Sequence, residues 1–366
     1  MIENTCILIF LLFKFILLWK RGSFFMETKT NKLLVFSSYD YDVTAFEKYP
    51  EKGLELEYVK ETLTPDILRK HAKKGEYVGI IVFVNDQVDK EVIDIMAEND
   101  MYFIATRSAG FNHIDLAYAK EKNMKVYRVP EYSSYSIAEH AVTLLLSSIR
   151  DIPTAVYNTR HNDFSLKPTM MGFDIHGKTV GLVGTGKIGQ KFAQIMAGFG
   201  ATVIAYDKFP ATEWAEKFGV TYVELDELYA KADIIALFCP VFPETQHMIN
   251  KDSIAKMKDG VIIINTARGL LVKTEDMVDA LKSGKVARYG ADVYENEAKY
   301  FFNDYSNIPV EDKVLEELLA QPHAMITPHS AFFTNEAFEN IYKITMANVM
   351  DGIDSKENAR EMTQTV

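Results

Sequence analysis

The fold this sequence predicts is α/β, with two doubly wound parallel-sheet domains, one inserted into the other. Three observations predict it. From Asn31 onward, short apolar, β-branched runs alternate with segments of helical spacing, and parallel strands need such crossover connections. In mid-chain, Thr179 to Val183 runs into Gly184-x-Gly186-x-x-Gly189 and continues with Ile188, Phe192, Ile195 and Met196 at helical spacing, which reads as strand, glycine turn, helix. Finally, Val129-Pro130 interrupts the rhythm ahead of that turn. Together these predict a dinucleotide-binding domain over 130–332, inserted into a first domain made of 26–129 and 333–366.

The first 25 residues stand apart. Cys6 to Trp19 is apolar apart from Lys14, which is too short for the roughly 20 residues of a spanning helix. The positive charges Lys20 and Arg21 follow the apolar run instead of preceding it, unlike a secretory signal. The expectation is that translation starts at Met26 and that residues 1–25 are a start-site artefact. Lys20-Arg21-Gly22 would be encoded by a purine-rich stretch suited to a bacterial ribosome-binding site. The alternative is a membrane-associated N-terminus.

The first domain offers strands at Leu33–Phe36, Leu54–Val59, Val78–Phe83, Tyr102–Thr106 and Lys125–Val129, with helical spacing in Pro65–Lys73 and Lys90–Ala97. Phe83-Val-Asn-Asp86 and Arg107-Ser-Ala-Gly-Phe-Asn-His-Ile-Asp115 follow strands, at the carboxyl ends where open α/β sheets bind ligands. Past Pro130, Ser136-x-x-Glu139 is a capping box opening a long helix through Leu146. A polar, irregular stretch covers about Asn158 to Lys178. Further strands are expected at Thr179–Val183, Ala201–Tyr206, Thr221–Val223, Ile234–Phe238, Val261–Asn265, Tyr289–Val293 and Ala324–Ile326. A final helix from Asn335 to about Gly352 returns to the first domain, and Asp354–Val366 reads as a polar, loose tail.

In a strand–turn–helix setting the glycines have separate duties. Gly184 makes the tight turn, Gly186 lets backbone approach a pyrophosphate, and Gly189 lets helix and strand pack closely. The helix N-terminus supplies N–H groups to the phosphates. Asp207 ends the next strand, 18 residues beyond Gly189. A carboxylate there accepts hydrogen bonds from ribose hydroxyls and repels a 2′-phosphate, so the site is expected to take NAD over NADP.

Composition closes off other classes. Of 366 residues, 48% are hydrophobic and 25% charged, and the net charge of −11 leaves no electrostatic footprint for nucleic acid. The two cysteines, Cys6 and Cys239, make no disulfide framework and no Cys/His metal cluster, which suits a reducing compartment. No nucleic-acid, membrane or metal partner is expected, and the location expected is cytoplasmic.

Three complementary residue types end strands of the second domain: Arg268, the acids Asp292 and Glu297, and His329. Oxidation of a 2-hydroxy acid needs a base for the hydroxyl proton, which histidine provides near neutral pH. It also needs a fixed cation for the carboxylate, which arginine grips bidentately, and an acid that orients the imidazole. By residue type alone, His329 reads more readily as a satisfied, partly buried histidine and Glu297 as a solvated charge, while Arg268 reads equally as an ion-pair partner. His113 reads as loop structure, His140 as helix packing, and Cys239 as a small apolar wall. Tyr300, Phe301 and Phe302 either fill a loop core or cap the cleft.

From about Asn31 the chain resembles the D-isomer-specific 2-hydroxyacid dehydrogenases, most closely their fermentative D-lactate dehydrogenase branch. The matching stretches are Phe83 to Asp86, Arg107 to Asp115, Arg128-Val-Pro-Glu-Tyr-Ser133, Ala138-Glu-His140, Gly184 to Gly189, Asn265-Thr-Ala-Arg-Gly269, Asp292-Val-Tyr-Glu-Asn-Glu297 and Thr327-Pro-His329. The resemblance implies a Rossmann NAD-binding domain inserted into a flavodoxin-like substrate domain, and Arg268, Glu297 and His329 as catalytic residues. It implies cofactor contacts at Gly184, Gly186, Lys187, Ile188, Gly189, Asp207, Cys239, Pro240, Thr266, Ala267, Arg268 and Asp292. Substrate contacts are implied at Ala109, Gly110, Tyr132, Arg268 and Phe332. Thr245 departs from the pattern, standing where some relatives place an asparagine near the cofactor. A homodimer is also implied, with the Ser136–Arg150 helix as candidate interface. The expected activity is NAD-dependent reduction of pyruvate to D-lactate. The alternatives are a bulkier 2-oxo acid, such as 2-oxoisocaproate or phenylpyruvate, or an NAD-sensing, corepressor-like binding protein.

Overall fold

The computed structural model describes residues 30–356, 358 and 360–363; the expectation for residues 1–25 lies outside them. Two parallel sheets carry the chain. The first contains β1 (Asn31–Val35), β2 (Leu54–Tyr58), β3 (Tyr77–Val82), β4 (Phe103–Thr106) and β5 (Lys125–Tyr127), in the spatial order β2-β1-β3-β4-β5. The second contains β6 (Thr179–Val183), β7 (Thr202–Tyr206), β8 (Thr221–Tyr222), β9 (Ile234–Leu237), β10 (Val261–Asn265), β11 (Val286–Ala291) and β12 (Ala324–Ile326), in the order β12-β11-β10-β9-β6-β7-β8. Each order reverses once, between β1 and β3 and between β6 and β9, and ligand crevices form outside strand carboxyl ends at such switch points.

The strands read as near-continuous apolar runs because helices cover both faces. All five residues of β10 are buried, and each sheet separates two apolar clusters. Gly181 lies under the Leu225–Lys231 helix so closely that a Cβ would sit 2.7 Å from Leu228. The Asn335–Ile353 helix returns across the first sheet. There Gly352 lies flat on the buried ring of Phe103, where a Cβ would come within 2.6 Å. Tyr342 meets Phe46 edge-on at 4.7 Å. Removing a buried ring such as Phe103 would cost about 3–5 kcal/mol.

Three expectations are corrected. The helix opened by the proposed Ser136–Glu139 box spans Ser134–Ile149, and its cap is Ser133, whose hydroxyl accepts from Ser136 N at 3.1 Å. Two serines three residues apart offer the same cap chemistry; the Ser136 hydroxyl is instead 2.7 Å from that of Thr334. Strand β11 starts three residues earlier than read, because Val286 pairs with Val261 ahead of a register shift. Within the tail, residues 360–363 are held in place, not loose. Glu361 bridges Tyr127 in antiparallel fashion, Met362 N donates to Val126 O at 2.7 Å, and Glu361, Met362 and Thr363 are buried. Backbone at the free edge of β5 captures it, which side-chain polarity does not reveal.

Candidate active site

At the β6/β9 switch point the backbone decides what can bind. Gly184 has φ +99°, and a Cβ on it would lie 2.7 Å from Cys239 N, so only glycine allows the turn and the following strand end to touch. A Cβ on Gly189 would meet Gly184 O at 2.2 Å. Around Gly186 there is open space, and it begins the Lys187–Gly198 helix with no side-chain cap. The first-turn N–H groups are therefore free of a side-chain cap, as a helix N-terminus that receives a pyrophosphate must be. The Asp207 carboxylate lies at the end of β7; Oδ2 accepts from Thr185 N at 2.6 Å and Thr185 Oγ1 at 2.9 Å, and Oδ1 from Phe209 N at 2.8 Å. The Thr266 hydroxyl is buried without a hydrogen-bond partner among the described residues. An open glycine cradle, an acid at the ribose position and an orphaned hydroxyl fit a dinucleotide.

The surrounding residues are more committed. Lys187 Nζ pairs with Glu131 across the chain entry to this sheet. Burial pushes the Cys239 thiol up to about 11, and its sulfur lies 3.7 Å from Met248 Sδ, in keeping with an inert wall beside Pro240. Thr245, the departure from the pattern, accepts from Phe242 N at 2.7 Å and donates to Pro240 O at 2.8 Å, so its hydroxyl is spent within its own turn.

Beyond β10, Asn265 straps the next loop, donating from Nδ2 to Arg268 O and accepting from Ala267 N. Gly269 touches the Tyr294-Glu295 backbone, where a Cβ would come within 2.1 Å. This contact sets the Arg268 loop against the one that carries Glu297. The Arg268 guanidinium donates from Nη1 to Ala267 O at 2.7 Å, and its Nη2 would be 2.9 Å from a Cβ on Gly110. A residue of the second sheet's loops thus reaches the Ala109-Gly110 loop after β4. In that loop Ala109 O accepts from Arg128 Nη1 and Gly110 O from Ser108 Oγ. Tyr132 is half-buried; desolvation raises its hydroxyl above the ordinary range, while the Arg268 charge pulls it down.

His329 Nδ1 lies 2.8 Å from Glu297 Oε1, and Glu297 Oε2 accepts from Tyr294 N at 2.9 Å. With an ionised carboxylate as acceptor, Nδ1 carries the hydrogen and Nε2 is left for the cleft. His329 holds a left-handed φ of +54°. The adjacent peptides explain this strain: Asp292, 1% exposed, accepts from Ser330 N through Oδ1 and from Ala331 N through Oδ2, each at 2.8 Å. Asp292, expected among the cofactor contacts, therefore commits both oxygens to the His329 loop.

The aromatic run divides. Tyr300 and Phe301 are buried in the core of the second sheet, whereas the Phe302 ring lies 5.9 Å from that of His329 and 5.2 Å from Phe83. Phe332 meets Phe83 at 5.7 Å and stacks on Phe338 at 6.0 Å. Tyr39 OH donates to Phe302 O at 2.7 Å. Tyr39 escaped the sequence reading; of the two roles left open for the aromatic run, core filling falls to Tyr300 and Phe301, and the place beside His329 to Phe302, whose backbone is left-handed at φ +68°. His113 is desolvated to a pKa of about 4 and lies 3.4 Å from Thr106 Oγ1, a loop role as read. Asp86 accepts from Ser37 Oγ, Leu63 N and Phe83 N, knitting the β1 and β3 ends together. Among the described residues no cluster of His, Cys, Asp or Glu could hold a metal ion, and no helix is long and apolar enough to cross a membrane.

Comparison with known proteins agrees with this architecture. Residues 142–331 match the family model described as D-isomer specific 2-hydroxyacid dehydrogenase, NAD binding domain. A 2-hydroxyacid dehydrogenase homolog of Zymomonas mobilis is 43% identical over 328 residues, 89% of this chain and 98% of that protein. The D-lactate dehydrogenase of Escherichia coli is 39% identical over 320 residues, 87% of this chain and 95% of its own. The structure of the pyruvate reductase of Chlamydomonas reinhardtii superposes with a TM-score of 0.84 at 37% identity, covering 91% of this chain and 99% of that one. The glycine cradle, the parallel order of the second sheet and these matches lead to one conclusion: the chain belongs to the D-isomer-specific 2-hydroxyacid dehydrogenases, enzymes whose cofactor is NAD.

Proposed function

We propose that this enzyme interconverts pyruvate and D-lactate, with Arg268, Glu297 and His329 as its catalytic residues. The observation that carries the reading is the Gly269 backbone packed against Tyr294-Glu295, which sets the loop of Arg268, itself against Gly110, beside the loop whose Glu297 pairs with His329. The bound NADH supplies the hydride. The chain's own residues do the rest. Arg268 grips the 2-oxo acid carboxylate, assisted by the N–H groups of Ala109 and Gly110, which have no backbone acceptor among the described residues. In the direction of reduction, His329 as imidazolium donates the Nε2 proton to the carbonyl oxygen, and Glu297 orients the ring and steadies its charge. Closure of the two sheets' loops over the cleft excludes water.

The crowding of Phe83, Phe302 and Phe332 near His329 supports a small acid such as pyruvate over 2-oxoisocaproate or phenylpyruvate. The cofactor contacts proposed are Gly184, Gly186, Lys187, Ile188, Gly189, Asp207, Cys239, Pro240, Thr266, Ala267, Arg268 and Asp292, with Tyr132 and Phe332 lining the substrate side. The test is NADH oxidation with pyruvate against a panel of larger 2-oxo acids. Highest kcat/KM on pyruvate supports the assignment, and a higher value on phenylpyruvate refutes it. H329Q should lose kcat by a factor of 10² or more while still binding NADH; undiminished turnover would remove His329 from the mechanism.

A homodimer forms part of the same proposal, with one change of place. Most of the Ser134–Ile149 helix is core. The exposed apolar surface lies just after it, at Ile152, Val156, Tyr157, Phe164, Leu166 and Met171. So many exposed large side chains in one short segment support a second copy as their cover. A cytoplasmic location accords with the unpaired Cys239.

A further inference from the structure

We infer that His140, on the Ser134–Ile149 helix, is a positioning residue for the reaction, acting on His329 through Thr327 and Asp292. The inference rests on His329 being the acid–base group. The connection is continuous. His140 Nε2 is 3.0 Å from Thr327 Oγ1 and 3.4 Å from Asp292 Oδ1. Thr327 Oγ1 donates to Asp292 Oδ1 at 2.5 Å, so its one hydrogen is spent and the bond from His140 must be donated by Nε2–H. Asp292 then accepts from Ser330 N and Ala331 N, the two peptides that follow the left-handed His329.

Each link has a reason to be needed. A left-handed histidine is strained and persists only where its surroundings over-determine it. Here the determinant is the Asp292 carboxylate, buried to 1% exposure. Burial raises its pKa, but donors from His140, Thr327, Ser330 and Ala331 outweigh that and hold it below the usual carboxylate range. Two of these donors belong to the loop being held. His140 and Thr327 are the side chains that hold Asp292 from the other side. His140 is no ordinary core residue either: its side chain is 21% exposed and lines a surface pocket of about 590 Å³ with Thr143, Tyr157, Arg160 and His161. An apolar residue would serve packing there equally well; only a donor serves Asp292.

The test compares H140L, which removes the donor, with H140Q, whose amide restores one at similar reach. H329Q is assayed in parallel. Readouts are kcat and KM with pyruvate, NADH affinity by fluorescence, thermal unfolding, and hydrogen exchange of residues 327–331 in the cofactor-free protein. Expected are a fall in kcat of about 10- to 100-fold for H140L, as for a small misplacement of a reacting group, NADH affinity within about twofold, and faster exchange at 327–331. H140Q should recover most of the turnover. T327V, which deletes the bridging hydroxyl with little change of shape, should reproduce the H140L loss and carries the test if H140L does not fold. Wild-type kcat in H140L or T327V, or an H140Q as impaired as H140L, overturns the inference. Turnover surviving in H329Q overturns the acid–base reading and this inference with it. An inactive H329Q beside a fully active H140L overturns the role of His140 alone.

Discussion

Adding one methyl group at Gly110 should separate catalysis from stability. A Cβ built there lies 2.9 Å from Arg268 Nη2 and 3.7 Å from its Cζ, with no other atom within 4 Å. Ordinary contact begins near 3.4 Å, so the guanidinium must withdraw by about 0.5 Å. The atom that gives way is the far end of a flexible side chain, and Gly110 is not among the positive-φ glycines. G110A should therefore fold normally, with unfolding free energy unchanged or raised by about 0.4–1 kcal/mol through the unfolded chain. Catalysis has no such tolerance. A misplacement of 1 Å can cost about 10²-fold, so roughly 10-fold is expected in kcat/KM for pyruvate, with NADH affinity preserved. Steady-state kinetics and urea unfolding of G110A against wild type decide it. Wild-type kcat/KM in a normally folded G110A would refute the argument that Arg268 and this loop together grip the substrate.

Three further perturbations follow from the same geometry. D207A should erode the preference for NADH over NADPH by roughly 10- to 100-fold, the worth of hydrogen bonds to a charged group; an unaltered ratio of kcat/KM values would assign selectivity elsewhere. His113 should make the fold acid-sensitive. Its folded pKa, about 4, lies below the ordinary histidine value of 6.5, so as pH falls the unfolded chain binds the proton first. Stability is then full above pH 6.5, falls by about 1.4 kcal/mol per pH unit toward pH 4, and levels off below it, a loss of about 3 kcal/mol. Urea midpoints across that range should show this slope flattened in H113Q, and an unchanged slope would contradict it. Replacing both Leu166 and Met171, 92% and 82% exposed, with aspartate should leave the protomer's unfolding temperature within a few degrees and halve the mass seen by light scattering; an unchanged mass would dismiss this surface as the dimer contact.

Residue order by itself determined the architecture and the chemistry on offer. Strand and helix periods are local, so the sequence located all twelve strands of the two sheets, and a glycine turn between a strand and a helix declares its purpose within a dozen residues. Arg268, Glu297 and His329 were nameable because each follows a strand, and strand ends of parallel sheets converge on one crevice. What tertiary structure alone decided is which of those groups touch. Arg268 reaches Gly110 across 158 positions of sequence, and Tyr39 bonds the backbone of Phe302 across 263. Asp292 serves the His329 loop, and His140, read as packing, completes its ring of donors. Hydrogen-bond partners and left-handed residues are properties of folded backbone in three dimensions; no periodicity in one dimension encodes them.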